Sequence, residues 1–191
     1  MSIDTKIIDA KIICAGFGGQ GVMSMGRLLA YTGMLQGREV SWLPSYGPEM
    51  RGGTANCHVI VSEHGIGSPI ISRDATAAMV LNLPSLHKFE QDLLPGGLLL
   101  INSSLIEERG SRGDVQPVPV PVNEIATELG SAKVANMVMI GAYLELSGLF
   151  ALTAVEEALQ KVFGPAKASL LPLNSAALAR GAESARAVLA K

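Results

Sequence analysis

The chain has 191 residues, a length typical of one domain, and residues 1–191 are expected to form a single unit. Its 15 lysine and arginine residues nearly balance 17 aspartate and glutamate residues, giving a net charge of −2. This balance argues against nucleic acid and anionic membranes as main partners, since both require a clustered excess of basic residues. Only 17% of the residues are charged, while 48% are apolar. An average domain has about 25% charged residues, so this composition predicts a large interface with another chain.

The cysteine and histidine content predicts no metal site on this chain. Cys14 and Cys57 are the only cysteines, and they form no Cys-x-x-Cys pair. Two thiolates cannot ligate an iron–sulfur cluster by themselves, and the three histidines lack the spacing of a metal motif.

The N-terminus mixes charges and lacks the apolar core of a signal peptide, so a cytoplasmic location is expected. Polar residues and glycines interrupt the apolar stretch 134–152, which favours a buried helix over a membrane span.

Short apolar runs and helical patterns alternate in the first half of the chain. Apolar runs that end in glycine are typical of buried parallel strands. The predicted elements are, in order, a strand at 12–15, a helix at 22–36, strands at 39–43, 54–62 and 77–81, a helix at 85–94, and a strand at 97–101. Pro95 and Gly96 are expected to end the second helix. On the strand at 54–62, Cys57 falls on the apolar side and His58 on the polar side.

The second half begins with a strand that carries three alternating prolines, Pro117, Pro119 and Pro121. Alternate residues of a strand point their N–H groups to the same side, so these prolines predict an edge strand with one blocked edge. Helices are predicted at 123–129, 134–147, 153–162 and 174–189, with Asn123 capping the first. The sequence therefore predicts an α/β fold of three layers, with a mostly parallel sheet, some antiparallel or edge strands, and a helical C-terminal third.

A glycine-rich loop joins the first strand to the first helix. Its residues are Gly16, Phe17, Gly18, Gly19, Gln20 and Gly21, and the glycines fit the pattern G-x-G-x-x-G. Such a loop lets backbone N–H groups approach a phosphate, aided by the positive end of the helix dipole. Val22 and Met23 stand where a P-loop has Lys and Ser or Thr, and Glu39 lies at the wrong end of the second strand to bind an NAD ribose. The loop either holds a phosphate or is only a tight structural turn.

A second glycine-rich loop follows the strand at 39–43. Its candidate binding residues are Tyr46, Gly47, Pro48, Glu49, Met50, Arg51, Gly52 and Gly53. An open α/β sheet places this loop beside the first one, at the edge where such sheets bind ligands. Arg51 suits a phosphate-bearing ligand, since a guanidinium group can make paired hydrogen bonds to phosphate. The alternative is a rigid hairpin connection in which Glu49 and Arg51 form an exposed ion pair worth about 0–1 kcal/mol.

Together, the two loops resemble those of a known family. The segments 16–21 and 45–57, with 133–137 at the start of the apolar helix, are similar to the gamma subunits of 2-oxoacid:ferredoxin oxidoreductases. The resemblance covers essentially the whole chain. It implies a Rossmann-like domain in an enzyme that converts a 2-oxoacid and coenzyme A to acyl-CoA and CO2, with electrons passing to ferredoxin. Asn136 becomes a candidate site residue on the resemblance. Met50 stands where pyruvate enzymes tend to carry arginine, so the second loop looks more like the 2-oxoglutarate and branched-chain members, and the related indolepyruvate enzymes stay open as an alternative.

The resemblance also implies that several chains share the chemistry. Thiamine diphosphate and [4Fe-4S] clusters are expected on partner chains, namely the alpha, beta and ferredoxin-like subunits. No catalytic residue is assigned to this chain, and it is not expected to be active alone. No cofactor is expected to be held firmly here, and coenzyme A is the candidate ligand of the two glycine-rich loops.

Two other classes of protein stay open as alternatives. One is a stand-alone NAD(P) dehydrogenase, which tight and saturable binding of NAD(P) would favour. The other is a non-enzymatic module that binds a nucleotide or coenzyme A without any redox partner. Asn82, Asn102 and Ser103 follow predicted strands, and we expect them to cap helices rather than to line the crevice.

Overall fold

The computed structural model describes residues 9–45 and 54–189, which form one mixed sheet with helices on both faces. The strands are β1 (Asp9–Phe17), β2 (Glu39–Ser45), β3 (Thr54–Ser62), β4 (Ala75–Val80), β5 (Leu93–Asn102) and β6 (Gln116–Val120). They lie in the order β2-β3-β1-β4-β5-β6. β3 is antiparallel to β1 and β2, and the other neighbours pair in parallel. The predicted α/β fold with a mostly parallel sheet is confirmed.

The directions of the strands bring several loops to one edge of the sheet. β1, β4, β5 and β6 run parallel, and β2 runs the same way because it and β1 are both antiparallel to β3. The carboxyl ends of these five strands and the amino end of β3 therefore share one edge, which we name the carboxyl edge. This is the edge at which open α/β sheets bind ligands.

Helices cover the two faces of the sheet unequally. They are α1 (Val22–Leu35), α2 (Leu83–Phe89), α3 (Val122–Glu128), α4 (Ala135–Ser147), α5 (Leu152–Phe163) and α6 (Leu171–Leu189). All but α2 pack on one face, around a core that includes Ile12, Leu29 and Tyr143. On the other face, α2 and the long connections pack around Ile13 and Leu86. The domain thus has three layers, of which the α2 layer is thin.

The helices α4 and α6 cross at very short distance. A Cβ atom on Gly141 of α4 would lie 1.9 Å from the carbonyl oxygen of Leu178, and one on Gly181 of α6 would lie 2.0 Å from that of Val138. Helix axes normally lie about 8–10 Å apart, depending on the side chains at the contact, and glycine allows the closest approach. Buried residues surround the axis of α4, as predicted for the apolar stretch. No helix within the described ranges is long and apolar enough to cross a membrane.

The predicted end of the second helix and start of the next strand are wrong because a tertiary contact overrides the local pattern. The helix predicted at 85–94 ends at Phe89, a 3-10 turn follows, and β5 begins at Leu93. Pro95 and Gly96, the expected end of the helix, lie within β5. Arg112 Nη1 donates hydrogen bonds to the carbonyl oxygens of Glu90 (3.0 Å) and Leu93 (2.7 Å). The Glu90 carboxylate in turn accepts from the N–H and hydroxyl of Ser111 (both 2.8 Å). These contacts hold the segment in a turn followed by a strand, so the helix does not continue.

The proline-rich strand β6 lies at the edge of the sheet, as predicted. Pro117 and Pro119 lie opposite Leu99 and Ile101 of β5. β6 has no strand on its outer side in the part of the chain that the structure describes. A residue without an N–H group cannot extend the ladder, so the prolines protect this edge from further pairing.

Candidate functional site

The glycine loop, residues 16–21, turns the chain from β1 into α1 at the carboxyl edge. Gly19 and Gly21 have φ angles of 93° and 81°, which residues with a side chain rarely adopt. Gly21 is the residue immediately before α1, and no side chain among the described residues caps this helix. The first N–H groups of α1 therefore have no capping side chain in the described part of the chain, and the dipole of this long helix favours an anion at that end.

Gln20 fixes the shape of the glycine loop. Its Oε1 accepts a hydrogen bond from the Phe17 N–H (2.6 Å), and its Nε2 donates to the Leu81 carbonyl just after β4 (3.2 Å). Gly16 leaves room for this side chain, because a Cβ atom at Gly16 would lie 2.7 Å from Gln20 Oε1 and 2.9 Å from Leu81 Cβ. The loop is thereby tied to the end of a neighbouring strand.

A second carboxamide reaches the same carbonyl oxygen from β5. Asn102, the last residue of β5, is almost completely buried. Its Nδ2 donates to the Leu81 carbonyl (3.3 Å) and to Asn123 Oδ1 (2.8 Å), while its Oδ1 accepts from the Ser104 N–H (3.3 Å). The glycine loop, the ends of β4 and β5, and the start of α3 thus form one hydrogen-bond network.

The expected helix caps are confirmed at only one of four positions. Asn82 caps α2, since its Oδ1 accepts from the Ser85 N–H (2.9 Å). The prediction is wrong for Asn102 and Ser103, because the chain makes a turn after β5 instead of a helix. It is also wrong for Asn123, which lies inside the first turn of α3, where Pro121 occupies the cap position. Asn102 and Asn123 serve the network at the carboxyl edge instead.

Asn136, far from the glycine loop in sequence, lies against it in the fold. A Cβ atom on Gly21 would lie 2.6 Å from Asn136 Nδ2 and 2.9 Å from Asn136 Cγ. The Asn136 side chain belongs to the first turn of α4 and is buried. The absence of a side chain at Gly21 therefore allows α4 to pack directly on the loop.

A cleft of about 250 Å³ opens between the glycine loop, the ends of β4 and β5, and the segments that start α3 and α4. Its lining residues are Gly19, Gln20, Gly21, Leu81, Asn102, Val122, Asn123, Ala132, Lys133 and Ala135. Among the described residues that line the cleft, Lys133 is the only charged one, and it forms no ion pair with the rest of the described chain. A single positive charge among uncharged groups favours an anionic ligand.

Eight predicted site residues lie outside the described residues. They are Tyr46, Gly47, Pro48, Glu49, Met50, Arg51, Gly52 and Gly53. The strand residues that flank them are described: Ser45 lies opposite Asn56, and Thr54 lies opposite Phe17. Both flanks of the second loop therefore lie at the carboxyl edge, beside the glycine loop, as the topology predicted.

The structure brings only part of the predicted glycine loop into the cleft. Gly16 is buried below the loop, whereas Phe17 and Gly18 are exposed and do not line the cleft.

Three residues that line the cleft were not predicted as site residues, namely Asn102, Asn123 and Lys133. Two signals for them were available, namely an asparagine directly after a predicted strand and the position of Lys133 in a segment that carries the family resemblance.

The two cysteines lie opposite each other in the core below α1. Cys14 pairs with Cys57 across β1 and β3, and both are fully buried. A hydrogen bond with Cys57, together with burial, raises the pKa of the Cys14 thiol well above its usual value. A thiol that stays protonated and enclosed is a poor metal ligand and a poor nucleophile. Residues 9–45 and 54–189 contain no group of three His, Cys, Asp or Glu side chains that could hold a metal ion.

Among the described residues, the cleft has no acidic residue of the kind that an NAD-binding site needs. Glu39 begins β2 and lies opposite Ser62, the last residue of β3, so it is at the edge opposite the glycine loop. None of the described residues that line the cleft is acidic. A carboxylate that binds the ribose hydroxyls belongs at the carboxyl end of the second strand. The described geometry therefore gives no support to the alternative of a stand-alone dehydrogenase.

An α/β domain with a glycine loop and a polar cleft at its carboxyl edge has the architecture typical of domains that bind a phosphate-bearing cofactor. Sequence comparison makes the assignment more specific. The chain belongs to the pyruvate ferredoxin/flavodoxin oxidoreductase (POR) family, whose sequence pattern matches residues 11–184. The family resemblance drawn from the two loops is confirmed.

The chain is similar to archaeal oxidoreductase subunits. It is 40% identical over 185 residues to the ketoisovalerate oxidoreductase subunit VorA of Methanothermobacter thermautotrophicus, covering 96% of this chain and 38% of VorA. It is 36% identical over 163 residues to the 2-oxoglutarate synthase subunit KorC of the same organism, covering 81% of this chain and 85% of KorC. The chain thus spans little more than a third of the length of VorA but most of the length of KorC.

Solved structures share the fold. The gamma subunit of a keto/oxoacid ferredoxin oxidoreductase from Geobacter sulfurreducens PCA has a TM-score of 0.79 at 30% identity, covering 93% of this chain and 99% of that subunit. A 2-oxoglutarate:ferredoxin oxidoreductase from Magnetococcus marinus, with 2-oxoglutarate, coenzyme A and succinyl-CoA bound, has a TM-score of 0.84 at 25% identity. That match covers 94% of this chain and 31% of the longer chain.

Proposed function

We propose that the chain is the gamma-type subunit of a multi-subunit 2-oxoacid:ferredoxin oxidoreductase. Such an enzyme converts a 2-oxoacid, coenzyme A and oxidised ferredoxin to acyl-CoA, CO2 and reduced ferredoxin. The observation that carries the proposal is the family match over residues 11–184, with a shared fold that covers 99% of the Geobacter gamma subunit. In this role the chain has no activity of its own and works only in complex with its partners.

The redox cofactors lie on partner subunits in this proposal. Thiamine diphosphate supplies the carbanion chemistry of decarboxylation, and [4Fe-4S] clusters carry the electrons onward. A [4Fe-4S] cluster takes about four cysteine ligands, whereas this sequence has two cysteines, both buried. The residues present therefore do not fit a cluster. Alpha, beta and ferredoxin-like subunits hold these groups, ferredoxin binds to the assembled complex, and the complex is cytoplasmic.

Two exposed apolar side chains next to the cleft support a partner at the carboxyl edge. Phe17, at the end of β1, is 38% exposed, and Leu83, at the start of α2, is 36% exposed. Phe17 ends β1 and Leu83 follows β4, the parallel neighbour of β1, so both lie at the carboxyl edge. An apolar surface of this kind is stabilised when a second chain covers it. We place the thiamine-binding subunits here.

Coenzyme A binds at the carboxyl edge in this proposal, between the glycine loop and the second loop. The support is the uncapped start of α1, the positive charge of Lys133, and the position of the residues that flank Arg51. The substitution Arg51→Ala tests the role of the second loop. It should raise the KM for coenzyme A about tenfold or more in the reconstituted complex, because it removes a charge-assisted contact to phosphate.

A matched substitution, Arg109→Ala, removes an exposed arginine from the connection between β5 and β6 and should leave the KM for coenzyme A at its original value. An unchanged KM in the Arg51→Ala complex would remove Arg51 from the site.

The proposed 2-oxoacid is 2-oxoglutarate. The support is the similarity to KorC over most of its length, while the second loop resembles the 2-oxoglutarate and branched-chain members alike. Ketoisovalerate is the second candidate, because VorA is 40% identical over the shared region. Rates of coenzyme A-dependent viologen reduction with 2-oxoglutarate, 2-ketoisovalerate, pyruvate and indolepyruvate separate the candidates. The proposal expects the highest kcat/KM with 2-oxoglutarate, and a preference for another acid would overturn this assignment.

Omission of the chain tests its place in the enzyme. The partner subunits are assembled anaerobically with and without it, and the formation of acyl-CoA is measured. We expect acyl-CoA only when the chain is present. Equal formation of acyl-CoA without the chain would contradict the proposal.

A further inference from the structure

The outer side of β2 is the second place where the sheet ends, and it differs from the outer side of β6. β2 pairs with β3 on its inner side, and no strand of the described residues lies on its outer side. Alternating prolines protect β6, whereas β2 has a single proline, Pro44, near its carboxyl end. A strand edge without such protection is a template for pairing with another chain.

Two hydrogen bonds of β1 show which way its backbone groups point. The Lys11 N–H donates to Thr76 Oγ1 of β4 (3.0 Å), and the Ala15 carbonyl oxygen accepts from the Leu81 N–H just after β4 (2.9 Å). The backbone groups of the odd-numbered residues of β1 therefore point toward β4. Because the direction alternates along a strand, the even-numbered residues of β1 point toward β3.

The same alternation identifies the free backbone groups of β2. Even-numbered residues of β1 lie opposite odd-numbered residues of β3, so the even-numbered residues of β3 point toward β2. Those residues lie opposite odd-numbered residues of β2. The backbone groups of Val40, Trp42 and Pro44 therefore point outward and have no partner among the described residues. Pro44 agrees with this result, since a proline in a strand is tolerated where its nitrogen faces away from the ladder.

We propose that β2 pairs with β2 of a second copy of this chain, antiparallel and with a two-fold axis at Ser41. In this register Val40 lies opposite Trp42 of the second copy, and each such pair exchanges two backbone hydrogen bonds. The two six-stranded sheets then form one continuous sheet. The inference goes beyond the proposed function and does not depend on which reaction the enzyme catalyses.

The backbone groups favour Ser41 as the position of the axis. With the axis at Ser41, every N–H and carbonyl group of Val40 and Trp42 finds a partner. An axis at Trp42 would place Val40 opposite Pro44, which has no N–H to give to the Val40 carbonyl. An axis at Val40 would place Trp42 opposite Arg38, whose N–H already donates to a carbonyl oxygen of α1 (2.9 Å).

The side chains of β2 are compatible with this pairing. Trp42 lies opposite Val40 of the second copy, and pairs of an aromatic and a β-branched residue stabilise neighbouring strands. The two Ser41 hydroxyl groups face each other across the axis and can form a hydrogen bond. Glu39 is the charged residue of β2, and it lies opposite Leu43 of the second copy. No like charges therefore meet, and the net charge of −2 gives little repulsion between two copies.

Helix α1 adds apolar surface along the same side of the domain. It packs closely on β2, because a Cβ atom on Gly33 would lie 2.7 Å from Val40 Cγ1 and one on Gly26 would lie 3.0 Å from Trp42 Nε1. Met34, next to Gly33, is 58% exposed. Methionine and aromatic residues are enriched in protein interfaces, and charged residues are depleted from their centres. The half-buried Trp42 and the exposed Met34 fit this composition.

A cysteine at the axis tests the register directly. In Ser41→Cys the two copies of the residue form a non-hydrogen-bonded pair with Cα atoms about 4.5 Å apart, within the range of about 4.4–6.8 Å that a disulfide spans. Leu43→Cys is the matched control on the same face. Its two copies are offset by four residues, or about 13 Å, which is too far for a disulfide. Cys14 and Cys57 are fully buried and do not compete.

Both variants are oxidised with diamide, as the full chain and within the purified complex, and covalent dimers are measured on a non-reducing gel. We expect Ser41→Cys to form the dimer about tenfold faster or more than Leu43→Cys. Equal rates would indicate random collisions and would overturn the inference, as would the absence of a dimer of Ser41→Cys. Ser41→Cys that forms the dimer as the full chain but not within the complex would assign the outer side of β2 to another subunit and also overturn it.

A charge at the axis tests the pairing without cross-linking. Ser41→Lys places two ammonium groups opposite each other, so it should raise the Kd of the dimer about tenfold or more in light scattering of a dilution series. Gln116→Lys adds the same charge to β6, which prolines already block, and should keep the original Kd. An unchanged far-UV circular dichroism spectrum shows that both variants fold. An original chain that is monomeric throughout the series, or equal Kd values for all three proteins, would overturn the inference.

Discussion

The amide nitrogen of Asn136 lies 2.6 Å from the position that a Cβ atom on Gly21 would occupy. This contact joins the first turn of α4 to the last residue of the glycine loop. Both sides of the contact border the same cleft, because Gly21 and Ala135 line it. The position of α4 and the conformation of the loop are therefore coupled, and a change at either residue should affect ligand binding.

Replacement of Gly21 by alanine should cost more stability than replacement of Gly19. Both glycines have positive φ, which costs a residue with a side chain about 1–2 kcal/mol. Only Gly21 has a neighbour within reach of the new Cβ atom, whereas Gly19 has nothing within 4 Å. Overpacking adds about 1–3 kcal/mol. Denaturant unfolding of Gly19→Ala, Gly21→Ala and the double variant Gly21→Ala/Asn136→Ala measures the two effects separately.

The double variant provides the decisive comparison for Gly21. Asn136→Ala removes the two nearest atoms, Nδ2 and Cγ, and keeps only Cβ at 3.1 Å. It should therefore recover most of the steric part of the loss and leave the part due to φ. A Gly21→Ala variant as stable as Gly19→Ala would mean that the contact with Asn136 contributes nothing.

Gln20 should be needed for affinity as well as for stability. Gln20→Met keeps the size of the side chain and deletes both the bond from the Phe17 N–H and the bond to the Leu81 carbonyl. Each lost hydrogen bond costs about 0.5–1.5 kcal/mol, and the freed loop should raise the KM for coenzyme A in the complex. Gln36→Met, at the exposed far end of α1, is the control. A complex with Gln20→Met that keeps the original KM would show that the loop holds its shape without this side chain.

The parts of the fold and site that depend on local pattern could be predicted from the sequence. The glycine loop follows an apolar strand and precedes a helix, and alternating prolines mark β6 as an edge, so residues close in sequence carry these signals. The cleft was not predictable in the same way. Asn102 and Asn123 meet only because β6, which leads into α3, lies beside β5, and Asn102 reaches the Leu81 carbonyl because β4 lies on the other side of β5.

The early end of α2 has a similar cause. The pattern at 85–94 is helical, but Arg112, which lies about twenty positions further along the chain, binds the carbonyl oxygens of Glu90 and Leu93. No local propensity contains that contact. Distant side chains decide such boundaries, and a single sequence gives no direct signal of them.

Gly141→Ala should strongly destabilise the chain although alanine is the better helix former. In an exposed helix this change stabilises by about 1 kcal/mol. Here the new Cβ would lie 1.9 Å from the carbonyl oxygen of Leu178, so α4 and α6 would have to move apart. The overpacking cost of about 1–3 kcal/mol or more should exceed the gain. Denaturant unfolding measures the difference, with Gly113→Ala as the control because nothing lies within 4 Å of its Cβ position.

If Gly141→Ala unfolded at the same denaturant concentration as Gly113→Ala, that result would contradict the close packing of α4 on α6. A shift of the Gly141→Ala midpoint to lower denaturant at unchanged slope is the expected result.

Acid should weaken the fold through His58. Its Nδ1 accepts from the Ile71 N–H (3.2 Å), which requires the neutral ring, and burial lowers the pKa of His58 from its usual 6.5. The unfolded chain therefore takes up this proton first as the pH falls, so the free energy of unfolding decreases below about pH 6.5 and levels off below the pKa of the folded state.

His58→Asn keeps an acceptor for the Ile71 N–H and has no group that titrates in this range. Its free energy of unfolding should fall less than that of the original chain between about pH 8 and pH 5. The exposed His64→Asn variant should follow the original chain. Parallel curves for the original chain and His58→Asn would contradict the assignment.

The central claim is that this chain works as a subunit of a 2-oxoacid:ferredoxin oxidoreductase. The most direct test is anaerobic purification of the tagged chain from its own cells, with mass spectrometry, an iron assay and a viologen assay on the eluate. The claim predicts co-elution of thiamine diphosphate-binding and iron–sulfur chains, and dye reduction only when a 2-oxoacid and coenzyme A are both added. A monomer or homodimer that elutes without iron and without dye-reducing activity would contradict it.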